Sequence, residues 1–534
     1  MPFTQAPARP DSTAPDTPGA RSSTTGTGLT AALARHQRLD AVVVGLVAAL
    51  IGGAFLWVPS IWYDEAATVV AATRDWPGLW RTVQSVDAVH MGWYAAMHLW
   101  FDLIGYSPVT LRLPSVLCIG ITSGLLVILA RRFMPRRGAV AAGLLFAVLP
   151  RTTLVGTEGR TFALSALLAV ALTLLLLTAL DRSLQVNDST RSRLPPATWW
   201  WAGYAALTIV STTFFLYLAL LVVAHAVTVL IVIAVRTPLT RTEIRAGVSF
   251  AVAATIGAIG TAPLALMAAD QAGQVGWIDP PSIETVAHFL VTQWSPNNPG
   301  FAWLMWGLVA LGVGASCLRR EHRGTLAKLL PWLLVPSLAL LALSFVGDPL
   351  WSPRYQTFSA PALALLMALG TTFIPSRRGV AVLLIVAAAV SAPSWSEQRQ
   401  PTAKDGAAWD QVANVVSEER ISSASSLEEG IIYGPVRRHA GATSRIISYT
   451  YPEAFTGMKD FTLQTHASET GGLWENQHDV ENVLGEVDDL DVVWLVTSDR
   501  QDWRPKVTEM LDERGFALEQ EWNLSRSNVL KFSR

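Results

Sequence analysis

Long apolar runs, separated by short polar connections, occupy the chain from residue 41 to residue 393. A helix that crosses the hydrocarbon core of a bilayer needs about 20 mostly apolar residues, and most of the runs come close to this length. The runs lie at 41–58, 109–130, 138–154, 161–181, 198–212, 214–235, 246–269, 301–318, 328–346, 357–374 and 379–393. The pattern predicts a polytopic α-helical membrane protein with about eleven spans.

Positively charged residues fall in alternate connections between these runs. They are Arg35, Arg38, Arg131, Arg132, Arg136, Arg137, Arg182, Arg191, Arg193, Arg236, Arg241, Arg245, Arg319, Arg320, Arg323, Lys328, Arg377 and Arg378. Because lysine and arginine are enriched on the cytoplasmic side of membrane proteins, we expect the N-terminus inside and the C-terminus outside. The connections 59–108, 268–300 and 347–356 would then lie on the extracytoplasmic face.

The two ends of the chain differ from the apolar body between them. Residues 1–37 are rich in Pro, Ser, Thr, Ala and Gly and almost lack large apolar residues. Such a segment cannot bury a core, so we predict a disordered cytoplasmic tail. Residues 38–393 are predicted as a transmembrane domain whose principal outer loop is 59–108. Residues 394–534 are predicted as a small extracytoplasmic α/β domain.

Short patterns within residues 394–534 predict its helices and strands. The expected helices are 404–419 and Arg504–Arg514, the expected buried strands are Ile431–Tyr433, Arg445–Tyr449 and Val492–Thr497, and a terminal hairpin joins Ala517–Trp522 to Asn528–Phe532. No Gly-rich phosphate loop, metal-ligand spacing or nucleophile motif occurs in this part of the sequence.

Composition supports the membrane assignment and excludes two classes of protein. Of the 534 residues, 51% are hydrophobic and only 15% are charged. Soluble domains carry about 25% charged residues, so an ordinary soluble enzyme is excluded. The net charge of −1 also excludes a nucleic-acid-binding chain. Residues 393–534 hold 14 basic and 24 acidic residues, which indicates different surroundings for this part.

Adjacent carboxylates, Asp64 and Glu65, follow the first apolar run directly. Acidic residues favour the first turn of a helix, so the pair could be an ordinary helix start. Ionisable residues at membrane depth are otherwise candidates for function. The functional interpretation is a general base or a metal ligand at the outer face. Adjacent residues point about 100° apart on a helix, so the two carboxylates would have different roles.

Polar candidates for substrate binding occur elsewhere on the predicted outer face. Asp87 and His90 share the first outer loop with the acidic pair. A lone histidine is otherwise often structural. Glu158 and Arg160 lie between the third and fourth runs, where an arginine can simply extend to the interface.

The last of these candidates precedes the tenth run. Arg354 and Tyr355 lie in the sequence Trp-Ser-Pro-Arg-Tyr, on the side where positive residues are disfavoured. Arginine binds phosphate through two parallel hydrogen bonds. Arg354 is therefore a candidate phosphate ligand, with extension to the interface as the alternative.

Five motifs in order resemble those of the GT-C membrane glycosyltransferases, in the family 39-like branch. They are YDEAATVVAATR (63–74), VHMGWYAAMHLWFDLIG (89–105), LRLPSVL (111–117), LPRTTLVGTEGRTFAL (149–164) and SPRYQTFSAPALALL (352–366). Relatives in this branch are the protein O-mannosyltransferases and the bacterial aminoarabinose transferases. The wording DAVH at 87–90 is similar to actinobacterial mannosyltransferase-type members. The chain departs from the family with HMGW in place of HPPL and EGR in place of EAR.

The resemblance implies a polyprenyl-phosphate sugar as the donor, used on the outer face. It implies that Asp64 is the catalytic base with Glu65 beside it, and that Arg354 lies near the donor phosphate. His90 is carried over from an altered motif. Members of the family differ in their use of metal, so a divalent metal stays open.

The expected function is transfer of a sugar, mannose first, to an acceptor of the cell envelope by a single inverting displacement. The acceptor would be a lipid-linked glycan, a cell-wall polymer or a protein, reached from the plasma membrane. Arabinofuranose or another pentose is the nearest alternative. A lipid or glycan transporter is the rival from another class, and an outer binding module on an inert anchor is a third.

Overall fold

The structure, a computed structural model, describes residues 24–184, 197–236, 238–422, 427–437 and 439–534. Helices form the chain as far as residue 397, and a small sheet with short helices follows. The predicted combination of an apolar helical body with a C-terminal α/β part is confirmed at this level. Residues 394–534 are called the C-terminal part below.

The helical body contains sixteen α-helices among the described residues. They are α1 (Thr24–Gly53), α2 (Tyr63–Ala72), α3 (Trp76–Ser85), α4 (Met91–Ile104), α5 (Pro108–Ala130), α6 (Arg136–Val148), α7 (Pro150–Val155), α8 (Phe162–Leu184), α9 (Ala197–Phe214), α10 (Leu218–Ala234), α11 (Arg241–Asp270), α12 (Ile283–Ala287), α13 (Pro299–Leu318), α14 (Arg320–Val346), α15 (Ala360–Thr371) and α16 (Arg377–Glu397). Short helical turns of other types lie at Ala88–His90, Ala272–Val275, His288–Thr292 and Pro353–Ser359.

Six helices in the described part of the chain are long and apolar enough to cross a membrane. They are α5, α8, α11, α13, α14 from Arg323 onward, and α16. Only 28% and 22% of the most apolar windows of α11 and α16 are buried inside the protein, as suits helices that face lipid. The chain is thus a membrane protein. The count of about eleven spans and the orientation of the ends stay predictions.

Before the C-terminal part, two predicted segments differ from the structure. Helix α1 begins at Thr24, so the part of the predicted disordered tail from 24 to 37 is helical, while residues 1–23 lie outside the described residues. The run at 138–154 is divided into α6 and α7. The division falls at Leu149, which is extended (φ −62°, ψ 125°) and precedes Pro150, and proline disfavours a helical residue before it.

The predicted outer loop, 59–108, is itself mostly helical. It consists of α2, α3, the turn Ala88–His90 and α4. The carboxylate of Asp75 caps α3 by accepting a hydrogen bond from the amide of Gly78 at 2.9 Å. Asp87 has a left-handed backbone (φ 59°), which turns the chain between α3 and α4.

Glycines allow α13 and α15 to approach closely inside the body. A Cβ atom on Gly312 would lie 2.7 Å from the backbone oxygen of Leu366, and one on Gly370 would overlap the backbone oxygen of Leu308. Small residues at helix contacts permit such backbone approach in membranes, where packing takes the place of hydrophobic burial.

Gly370→Ala should therefore destabilise the protein by about 1–3 kcal/mol, because the added methyl has no space without a backbone shift. The measurement is the midpoint of thermal unfolding of the full chain in detergent. Gly307→Ala on α13 is the matched control, since a Cβ there meets nothing within 4 Å. Equal midpoints for the two variants would contradict the close packing of α13 against α15.

The C-terminal part is built on a five-stranded sheet. The strands of the C-terminal part are β1 (Glu429–Tyr433), β2 (Pro435–Val436), β3 (His439–Thr443), β4 (Lys459–Asp460), β5 (Leu463–Thr465), β6 (Asn476–Gln477), β7 (Val492–Ser498), β8 (Ala517–Leu524) and β9 (Ser527–Ser533). Strand β2 pairs with β3, and β5 pairs with β6, in two further two-stranded sheets. The order of the five-stranded sheet is β4-β1-β7-β9-β8, with β1 parallel to β4 and β7, and β9 antiparallel to β7 and β8. The predicted buried strands at 431–433 and 492–497 and the predicted hairpin are confirmed.

The helices of the C-terminal part include one segment that was predicted as a strand. They are α17 (Trp409–Ser422), α18 (Arg445–Thr450), α19 (Ala467–Thr470), α20 (Val480–Val483) and α21 (Arg504–Asp512). The prediction of a strand at Arg445–Tyr449 was wrong. Ile446 and Ile447 are both buried in the same core, whereas successive residues of a strand face opposite sides.

One hydrophobic core joins the outer loop to the C-terminal part. It includes Ile61, Leu79 and Trp93 from the loop, and Trp409 and Tyr433 from the C-terminal part. The outer loop and the C-terminal part therefore pack against each other through one shared core. The domain boundaries proposed from the sequence stay predictions.

Candidate active site

The centre of the candidate site is an ion pair between Asp64 and Arg354. Asp64 lies in the first turn of α2, after the extended residue Trp62, and Arg354 lies in the turn that leads into α15. Nη1 of Arg354 donates to Oδ2 of Asp64 at 2.6 Å. The side chains keep 19% and 28% of their exposure, so a ligand can reach both. The predicted pair of carboxylate and cation is thus brought together from positions 290 residues apart.

Arg160 and His90 adjoin this pair. Nη1 of Arg160 donates to the backbone oxygen of Asp64 at 3.0 Å, and its Nη2 lies 2.8 Å from Nε2 of His90. Burial, and then the charges of Arg160 and Arg354, hold the pKa of His90 well below 6.5. His90 is therefore neutral near pH 7. Because Nε2 accepts from Arg160, the proton lies on Nδ1, which has no hydrogen-bond partner among the residues that the structure describes.

Asp87 contacts Tyr94 and stabilises the turn between α3 and α4. Its Oδ2 accepts a hydrogen bond from the hydroxyl of Tyr94 at 2.6 Å. Its backbone amide donates to Gln274, and the next amide donates to Gln271, so the turn between α3 and α4 is fixed. Burial raises the pKa of Asp87, although Arg160 and Tyr94 oppose this. This geometry indicates that Asp87 orients its neighbours.

Glu65 has no exposed surface at all. Its carboxylate accepts hydrogen bonds from Nε and Nη2 of Arg112, from Nζ of Lys404 and from the backbone amide of Gly159, all at 2.7–2.9 Å. Burial alone would raise the pKa of Glu65, but Arg112 and Lys404 outweigh it and lower the pKa to about 2. This burial and these contacts suit a positioning role for Glu65, and its catalytic role stays a prediction.

Glu158 is the second buried carboxylate. Only 9% of the residue is exposed, and no hydrogen bond or ion pair joins its side chain to another described residue. Burial raises its pKa, and the charges of Lys404 and Arg354 oppose this. Glu158 thus interacts with charges of both the Glu65 contacts and the Asp64–Arg354 pair, and its role in substrate binding stays a prediction.

Aromatic rings surround the predicted ligand Tyr355. Its ring centroid lies 5.3 Å from that of Tyr217, 6.2 Å from that of Phe162 and 6.5 Å from that of Phe215. The guanidinium of Arg354 lies 4.9 Å from the ring centre of Trp277. The site therefore has a charged centre with an aromatic wall on the side of α8 and α10.

Sequence reasoning missed several residues of the site. Arg112 belongs to the motif LRLPS, and an arginine inside an apolar run is itself a signal of function. Lys404, Gln271 and Gln274 carried no sequence signal, because their neighbours at the site are far away in the chain.

Residues that could bind a divalent metal are not clustered. Among the described residues, no group of three or more His, Cys, Asp or Glu side chains is placed to hold an ion. The carboxylate of Asp64 already contacts Arg354, and that of Asp87 contacts Tyr94. The donor set does not fit a metal, and the cations near Asp64 are Arg354 and Arg160.

His90→Ala should lower kcat/KM about 10- to 100-fold, because the change removes the acceptor of Nη2 of Arg160 and the donor Nδ1. The wild-type profile should show no titration of His90 between pH 6 and 8, since its pKa is held well below 6.5. His98→Ala is the control, because His98 contacts the backbone oxygen of Ala72, at the opposite end of α2 from Asp64. Equal losses in both variants would contradict this role of His90.

Two solved structures share the whole architecture of the chain. The aminoarabinose transferase ArnT from Cupriavidus metallidurans in the apo state aligns with a TM-score of 0.57 at 12% identity, over 96% of this chain and 98% of its own. The structure of ArnT bound to undecaprenyl phosphate aligns with a TM-score of 0.56 at 13% identity, over the same shares. This chain has the GT-C fold.

The GT-C fold was predicted from the five motifs, and the prediction is confirmed. The archaeal oligosaccharyltransferase AglB from Archaeoglobus fulgidus aligns more weakly, with a TM-score of 0.46 at 12% identity over 86% of this chain and 69% of its own. No family model and no curated protein matches the sequence itself.

Proposed function

We propose that this GT-C protein transfers a sugar from a polyprenyl-phosphate donor to a hydroxyl group of a cell-envelope acceptor. The observation that carries the proposal is the accessible Asp64–Arg354 pair, which places a carboxylate beside a cation. The likeness in fold to ArnT, one structure of which holds undecaprenyl phosphate, supports the lipid-phosphate donor. Mannose is the first candidate sugar, and a pentose such as arabinofuranose is the alternative.

The proposed reaction is a single displacement. The carboxylate of Asp64 takes the proton of the acceptor hydroxyl, and the oxygen attacks the anomeric carbon of the donor sugar. The bond between that carbon and the phosphate oxygen breaks, and both of its electrons leave with the lipid phosphate. Because attack and departure occur on opposite faces, the anomeric configuration inverts.

The arginines of the site stabilise the leaving phosphate. Arg354 must release Asp64 and turn to the phosphate, and the guanidinium offers two parallel N–H groups for this contact. Arg160 and the Nδ1 proton of His90 are further donors on the same side. Fixed donors in a site that excludes water stabilise developing negative charge more strongly than water does.

The aromatic wall formed by Tyr355, Tyr217, Phe215 and Phe162 suits the first isoprenoid units of the donor. It lies beside Arg354, so the phosphate and the lipid chain can be bound together. We place this site at the plasma membrane on the extracytoplasmic face, in line with the distribution of positive charge along the chain.

The test is a transfer assay with the purified full chain in lipid nanodiscs. Radiolabelled polyprenyl-phosphate mannose and polyprenyl-phosphate arabinofuranose are supplied separately, with an extract of the native envelope as acceptor. Label from the mannose donor in an acceptor, with inverted anomeric configuration, is the expected result. Transfer from the arabinose donor alone would replace mannose by a pentose. No transfer from either donor, while ArnT assayed alongside transfers its own sugar, would overturn the proposal.

A further inference from the structure

We propose that Lys404, in the segment that follows α16, is a positioning residue for Asp64, so that the C-terminal part of the chain completes the active site. The role of Asp64 as base rests on the proposed function. That Lys404 fixes the position of α2 follows from its own contacts, independently of the proposed function.

The amine of Lys404 joins two elements that carry site residues. Nζ donates to Oε1 of Glu65 at 2.7 Å and to the backbone oxygen of Thr157. Glu65 follows Asp64 in α2, and Thr157 precedes Glu158 in the connection between α7 and α8. The side chain keeps only 4% of its exposure, so water cannot replace these bonds easily.

The charges around Lys404 explain why it is held. It faces Glu65 on α2, Arg112 on α5 and Glu158 after α7. Burial and Arg112 lower the pKa of Lys404 to about 8, against the attraction of the two carboxylates, so the amine is charged at neutral pH. Glu65 forms ion pairs with both Arg112 and Lys404, and Glu158 attracts Lys404 in addition. A buried charge persists only with such partners.

The segment around Lys404 is fixed at both ends. Before it, the guanidinium of Arg399 donates to the backbone oxygens of residues 51, 52 and 54 at the end of α1, at 3.2–3.3 Å. The backbone oxygen of Pro401 accepts from the amide of Ser60 at 2.8 Å, and the amide of Trp409 donates to the hydroxyl of Ser60 at 2.9 Å. The backbone around Lys404 is therefore held in place on both sides of this residue.

The residue on the other side of Asp64 is also held by the C-terminal part. The ring of Tyr63 stacks on His439 with centroids 3.4 Å apart, and its hydroxyl accepts from Nε1 of Trp474 at 2.7 Å. Both neighbours of Asp64 in the chain, Tyr63 and Glu65, are thus fixed by residues beyond 400. Asp64 itself remains free to face Arg354 and a substrate.

The experiment compares full-length Lys404→Met, Lys404→Arg and Lys531→Met in nanodiscs. Lys531 is a matched control, because it is also buried in the C-terminal part but pairs with Glu419 and Glu519, away from α2. Two properties are measured for each: hydrogen exchange of the amides of residues 63–72, and kcat and KM for the lipid-phosphate donor.

Lys404→Met should raise exchange in 63–72 about tenfold and lower kcat about 10- to 100-fold, since small misplacement of a reacting group has effects of this size. Its donor KM should stay within about twofold, because Arg354 and Arg160 are unchanged. Lys404→Arg should recover most of both properties, and Lys531→Met should match the wild type.

Unchanged exchange in Lys404→Met would overturn the positioning role, whatever the activity. Raised exchange with full kcat would overturn the link between Lys404 and Asp64. If the wild type transfers no sugar, the proposed function fails, while the exchange measurement still decides whether Lys404 holds α2.

Discussion

Asp64→Asn should lower kcat for sugar transfer by about 10²- to 10⁴-fold, because an amide cannot take the proton of the acceptor hydroxyl. Donor KM should change little, since asparagine has the shape of aspartate and the groups assigned to the phosphate remain. Loss in kcat without loss in donor binding indicates an interaction that acts in the transition state. The measurement is steady-state transfer by the full chain in nanodiscs with the donor that the wild type uses.

Asp75→Asn is the matched control for this substitution. Asp75 belongs to the same outer loop but caps α3, and asparagine caps a helix nearly as well as aspartate does. Its kcat should stay within about twofold of wild type. Near-normal turnover by Asp64→Asn would remove Asp64 as the base and direct attention to Glu158, the other carboxylate near Arg354.

Arg354→Met should lower kcat/KM by about 10²- to 10³-fold, the usual effect of removing one donor to a developing negative charge. Methionine fills much of the same volume but has no charge and no N–H group. Arg354→Lys should lose less, because an ammonium keeps the charge without the two parallel donors. The kcat/KM values of both variants are measured in the same transfer assay. The donor KM of Arg354→Met should rise.

Arg81→Met is the control for the loss of an outer-loop arginine, since the guanidinium of Arg81 donates to the backbone oxygen of Ser468 at the surface. The double variant Asp64→Asn/Arg354→Met should lose less than the product of the single losses, because the two side chains are in direct contact. If the loss in the double variant equals the product of the two single losses, the ion pair has no part in the reaction.

Four residues singled out in the sequence lie near one another in the structure. Asp64, Glu158, Arg160 and Arg354 all follow or precede apolar runs, and the packing of the body can bring such helix ends together. The sequence therefore pointed to a shared region, but not to the individual contacts, and the roles of these residues stay predictions.

The role of Glu65 could not be predicted in the same way. Adjacent carboxylates look alike in sequence, and only the positions of Arg112 and Lys404 show that one is buried and the other accessible. The mistaken strand at 445–449 has a similar cause. Its short apolar run fits a strand or a helix turn, and the contact of Ile446 and Ile447 with the outer loop decides between them.

The order of synthesis gives the contact between Glu65 and Lys404 a further meaning. The two residues are 339 positions apart, and a ribosome adding about 5–20 residues per second needs about 17–70 s to make that length. During this interval Glu65 lacks its partner from the C-terminal part, so α2 carries Asp64 without this support. On the proposed function, the site would become active only after the residues beyond α16 have been made and have folded onto the outer loop.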